Sequence, residues 1–192
     1  MGANRIDDST PNPQALPRGF DPFNDRPSRT VRNRLSLKLQ ACIADREVFS
    51  GAPRDLVQQF PQSPYAVYIR DRVERYRAAT REMRAVDDGT PLTQVATLLR
   101  HGLYFEAHEI LEPHWLAATG REREGLKGLI QAIGVDVHRE AGHADAAEKL
   151  ARKAVERLRR FGDAIGDQKA LDIENLVGRL TLVIDSSRHG RA

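Results

Sequence analysis

The sequence predicts an all-α fold, an antiparallel helical bundle with a disordered or extended N-terminal arm. Three observations carry that prediction. From Thr30 onward the apolar residues recur mostly at intervals of three and four, the spacing that lines one face of a helix. No stretch alternates apolar and polar side chains with the β-branched enrichment of a strand. Beyond Pro91 the breaks between periodic segments are short, at Gly102, Gly120 and Gly142, and short connections favour antiparallel neighbours. A chain of 192 residues supports one compact domain with an appendage rather than two full domains.

Each element follows from its residues. The first 28 residues hold half of the ten prolines and few large apolar side chains, too little to offset the entropy of ordering. Residues 1–28 are therefore expected as an arm, with Phe20 and Phe23 its only anchors. Residues 29–90 are expected as a helical N-terminal extension. Its first helix sets Val31, Leu35, Leu39, Cys42 and Ile43 on one face, with Arg29, Arg32, Arg34 and Lys38 between them. Gly51, Pro53, Pro61 and Pro64 break the pattern, and Ile69, Val73, Tyr76 and Met83 resume it up to the turn at residues 87–91. Residues 91–187 are expected as the bundle domain: helices over 92–99, 103–118, 122–141 and 144–161, and a last one over 170–184 carrying Leu171, Leu176, Leu180 and Val183. A weak echo between LLRHGLYFEAHEIL and VHREAGHADAAEKL places Gly before Ala at two helix junctions, as in tetratricopeptide hairpins. Two such units do not make a solenoid.

Composition narrows the function classes. Thirty Lys and Arg against 27 acidic residues leave a formal charge of only +3, so nucleic acid is disfavoured as a partner, and the basic segments are interleaved with glutamates. A partner protein or a second copy of the chain stays open. Cys42 stands alone, which excludes an internal disulfide framework and fits a reducing compartment. The amino terminus has no apolar core of a secretion signal and no apolar run approaches the length of a membrane span, so no membrane partner is expected and the localisation expected is cytoplasmic.

The chemistry concentrates in LYFEAHEILEPHW, residues 103–115. At about 100° per residue, Leu103, Ala107, Ile110 and Leu111 form one apolar face, and Phe105 and Leu116 lie nearly opposite, so much of this helix is expected to be buried. His108, Glu112 and Trp115 share an edge between those patches. The stretch lacks the HExxH of a zinc protease, since Glu112 stands where the second histidine belongs, and it lacks the repeated Glu-x-x-His of a di-iron bundle. Metal remains open, with His108 and Glu112 as weak candidate ligands that need others from a second helix. No cofactor fingerprint is present, so any cofactor is unknown. If the next helix folds back from a turn near Gly120, Gln131 comes level with His108, and His138 lies two turns further on the same side. Gly128 and Gly134 would permit close packing there. Pro113 removes one helical N–H and frees the carbonyl of Glu109, so a kink is expected beside this edge.

The run G-x-Y-F-E-A-H-E-x-L-E-x-x-W from Gly102 to Trp115, then G-L-I-Q at 128–131, His138 and Gly142, resembles the bacterial and archaeal family called domain of unknown function 309. The resemblance covers about residues 98–161 and implies a small all-helical protein, without an activity. Carried over by position, its signature residues are His108, Glu109, Glu112, Trp115, Gly128, Gln131 and His138. His114 departs from the apolar residue usual there, and the resemblance gives it no role. The expectation is thus a polar pocket of His108, Glu109, Glu112, Trp115, Gln131 and His138 that takes a small ligand or a metal, with Glu109 or Glu112 orienting His108 as a base if there is chemistry. No nucleophile is evident, and catalytic residues are unknown. The alternative is a scaffold in which the same groups only hydrogen-bond one another and hold two helices in register.

Overall fold

The computed structural model describes residues 15–85, 89–166 and 170–189, with the backbone alone for 187–189. The first 14 residues of the expected arm lie outside these. Among the described residues the fold is all-α, with eight α-helices and one 3-10 turn.

Helix α1 (Arg26–Ala44) starts inside the stretch expected as an arm, because Asp25 caps it. The Asp25 carboxylate accepts from the Ser28 amide at 2.8 Å, and Pro27 sits in the first turn where its missing N–H leaves no bond unmade. Its buried face is the predicted Val31, Leu35, Leu39, Cys42 and Ile43. A short helix α2 (Arg54–Gln59) lies in the proline-rich break, where no periodicity over six residues could announce it. It is held by one fully buried apolar residue, Leu56, and by an ion pair between Arg34 and Asp55. Helix α3 (Tyr65–Ala85) buries Tyr68, Ile69, Arg72 and Tyr76.

Helices α4 (Pro91–Arg100), α5 (Tyr104–Ala117), α6 (Gly120–Glu140), α7 (Ala144–Phe161) and α8 (Ile173–His189) follow, with the 3-10 turn Gly162–Ala164 between the last two. From α4 to α7 the connections are two or three residues long, and each helix packs on the one before it. The turns reverse at Gly102, Gly120 and Gly142, which have φ of +64°, +58° and +77°, a region in which a side chain would clash with its own backbone. Helix α5 is buried on one face rather than all round. Tyr104, Glu106, Ala107 and Leu111 are covered by α1, α4 and α6, while Leu116 near the end of the helix is 58% exposed.

One apolar core runs from Phe20 and α1 through α3 to Leu180 and Ile184 of α8. Inside it lies an ionic cluster with no counterpart in the sequence-based expectations. Arg72 of α3, 1% exposed, forms a salt bridge to Glu140 of α6 and donates to the carbonyl of Gly102 at 3.1 Å, while Tyr76 of α3 donates to Glu106 of α5. The N-terminal segment closes over this region. The Leu16 amide donates to the Glu140 carbonyl at 3.0 Å, and Phe20 stacks on Tyr68 at 3.9 Å.

Candidate functional site

Helix α5 sets His108, Glu109 and Glu112 on one side of its middle turns, half-buried. The Nδ1 of His108 lies 3.6 Å from a Glu109 carboxylate oxygen, too far for a good hydrogen bond and close enough for an ion pair once the ring is protonated. One donor atom from each of the three residues fits within 4.8 Å of the others. This is the compact His/Glu group whose members the sequence singled out.

Helix α6 presents Gln131 and His138 toward His108 across the hairpin. The three side chains line one groove of about 340 Å³. Two walls come from the N-terminal residues: the ring of Phe23, stacked on His138 at 4.9 Å, and the guanidinium of Arg32, which lies 3.7 Å above the ring of Phe105. Ile130, Val137 and Leu150 make an apolar floor.

Polar groups here are held by few protein partners. Gln131 accepts at its Oε1 from Arg157 of α7 at 3.1 Å, and Arg157 is itself fixed by Glu124 at 2.9 Å. That relay orients the amide and leaves its N–H donors unbonded among the described residues. The buried Nδ1 of His138 also lacks a partner among the described residues. Burial pushes the His138 imidazole below its ordinary 6.5, and His143 nearby adds to this, so the ring is neutral at pH 7. Arg32 is lowered too, first by burial, with Tyr68, Glu106 and Glu109 acting against the shift.

The remaining expected residues fall elsewhere. Trp115 packs against the core at the far end of α5, its Nε1 buried without a partner among the described residues and its face under the Arg123 guanidinium at 4.9 Å. Arg123 also donates to the carbonyls of Trp115, Leu116 and Ala118, closing the end of α5, which continues through Pro113 to Ala117. Neither Trp115, Glu109 nor Glu112 lines the groove. His114 is exposed. Gly128 and Gly134 permit a close approach, but to α7: a β-carbon at Gly128 would meet Arg157 and Leu158 at 3.0 and 3.1 Å, and one at Gly134 would meet Leu150 at 2.7 Å.

Residues 92–150 match the family described as Domain of unknown function (DUF309). That segment is similar to the DUF309 family. It contains every signature residue from His108 to His138, and it stops short of Phe23, Arg32 and Arg72. The groove beside the DUF309 helices is therefore completed by residues outside the family match. Neither a curated protein nor a solved structure matches the chain. Among the described residues no helix is long and apolar enough to cross a membrane.

Sequence reasoning missed Arg32 and Glu106 for different reasons. Arg32 read as one more cation on a solvated basic helix, and only its position above Phe105 sets it apart. Glu106 stands inside the motif, but its partner Tyr76 is 30 residues away and leaves no local signal.

Proposed function

We propose that the protein binds a small molecule in the groove between α5 and α6, with His108, Gln131 and His138 as its polar contacts. One observation carries this reading: polar groups from two helices and an N-terminal segment converge on one groove while making no hydrogen bond to one another. Groups retained only to hold helices in register would be bonded among themselves, yet the Nδ1 of His138 is buried in the groove without a partner among the described residues, which is destabilising by about 1 to 3 kcal/mol. Among the described residues no hydrogen bond joins His108, Glu112, Trp115, Gln131 and His138. A ligand would supply the missing partners. Such a site suits a cell interior, consistent with the single cysteine.

A second reading rests on the His108, Glu109 and Glu112 group, whose donor atoms could share a divalent cation. All three come from adjacent turns of one helix, so water or a further residue would complete the shell.

Native mass spectrometry and elemental analysis of the purified protein separate the two. His108→Ala removes a contact in both cases, Gln131→Leu only in the groove, and Glu112→Ala only in the cation group. A bound molecule lost at least ten-fold in His108→Ala and Gln131→Leu but kept in Glu112→Ala supports the groove. A stoichiometric metal lost in His108→Ala and Glu112→Ala but kept in Gln131→Leu supports the second reading. A bare mass, with variants that differ from the parent only in melting temperature, overturns both and leaves a scaffold.

A further inference from the structure

We infer that the ligand of this groove carries a carboxylate, seated by Arg32. The inference rests on the groove being a binding site and concerns what kind of molecule fits it. Arg32 forms no ion pair within 4 Å among the described residues; its one hydrogen bond is to the neighbouring Asn33 side chain at 3.2 Å. A half-buried guanidinium with one face spent on Phe105 keeps its in-plane N–H groups for a partner, and Glu106 and Glu109 act on it only from a distance.

The other free groups share that polarity. Because Arg157 already donates to the Oε1 of Gln131, the amide has chiefly its N–H donors left to offer. The imidazoles of His108 and His138 can each offer an N–H from whichever nitrogen carries the proton, and no carboxylate or hydroxyl lines the groove. A groove with one guanidinium and no acidic side chain matches a monoanion better than a phosphate dianion. The planar guanidinium fork donates to both oxygens of a carboxylate. The floor of Ile130, Val137 and Leu150 together with the Phe23 ring gives the rest of the molecule an apolar place to lie, so the class is a small carboxylate with an aromatic or branched aliphatic body.

The test uses the full chain and matched probes: phenylacetate, its neutral isostere phenylacetamide, and inorganic phosphate, each titrated while the Arg32 Nε–H and Gln131 amide resonances are followed by NMR. Saturable shifts with phenylacetate, at least ten-fold weaker with phenylacetamide and with phosphate, and a preference abolished by Arg32→Gln but partly kept in Arg32→Lys, are expected. Equal binding of phenylacetate and phenylacetamide at the groove overturns the carboxylate while leaving the groove reading intact. Phosphate binding ten-fold tighter than phenylacetate overturns it in favour of a dianion. No saturable shift of any groove resonance with any probe overturns the groove reading and this inference together. Melting temperatures of the two Arg32 variants within a few degrees of the parent show that lost binding is not lost folding.

Discussion

At the scale of single residues, the groove depends on how each polar group is held. Gln131 does not choose its own orientation: Glu124 fixes Arg157 and Arg157 fixes the amide oxygen. On the proposed groove reading, Arg157→Leu should therefore weaken binding several-fold without touching the groove wall, measured as a rise in Kd for a molecule that binds there. His138 gives a prediction on stability. Its folded pKa lies below the unfolded 6.5, so between the two values the unfolded chain holds a proton that the folded one lacks. The stability it contributes is whole above 6.5 and declines as the pH falls toward the folded value. Glu140 and Asp136, whose carboxyls burial pushes upward, act in the opposite sense and gain as the pH falls. A melting curve comparison of the parent with His138→Phe at pH 7.5 and 5.5 isolates the histidine: acidification should cost the parent more. An equal drop in both proteins would show that His138 titrates alike in the two states.

At the scale of elements, helix contacts are set by what lies behind each glycine. A β-carbon at Gly125 would stand 2.6 Å from the backbone oxygen of Phe161 and 2.8 Å from Ile165, and the end of α7 has no side-chain torsion that can turn aside. Gly125→Ala gains about 1 kcal/mol of helix propensity against overpacking of about 1 to 3 kcal/mol with a backbone obstacle, so the melting temperature should fall, by up to roughly 8 °C. Gly134→Ala presses only on the end of the Leu150 side chain, which can rotate. That variant should keep its melting temperature within about 2 °C while narrowing the groove. A rise in stability for Gly125→Ala in thermal unfolding would refute the close approach of α6 and α7.

At the scale of the whole molecule, the N-terminal helices and the DUF309 helices are tied by charges within one core. Arg72 of α3 reaches Glu140 of α6 and the turn at Gly102, and Tyr76 reaches Glu106 of α5. Removing one member of a buried pair leaves an uncompensated charge and typically costs about 3 to 5 kcal/mol. Arg72→Met should therefore lower stability to urea by about that amount, although Arg72 lies outside residues 92–150. Trp115 fluorescence and circular dichroism should still report one transition, since the apolar core is continuous from Phe20 to Ile184. A loss below about 1 kcal/mol, or a Trp115 transition that ignores the change, would show that the two parts fold independently of this contact.

The helices and the motif were legible because their signals are local. Periodicity in α1, α3 and α4 to α8, reversals at Gly102, Gly120 and Gly142, and the His108 to His138 spacing are all carried by residues close together along the chain. A hairpin with its turn near Gly120 is enough to bring His108 beside Gln131, and both line the groove. Helix α2 escaped notice because it is held by tertiary partners, Arg34 and the core around Leu56, rather than by its own pattern. Trp115 shares an angular edge with His108 yet lies beyond the groove, because two turns of helix carry it toward Arg123. The sequence by itself determined the all-α class, every helix except α2, and the run of motif residues from His108 to His138. Only the tertiary structure decided that Phe23 and Arg32 close the groove and that Arg72 meets Glu140, because those contacts join residues 68 to more than 100 positions apart, and only the packing of one helix on another selects them.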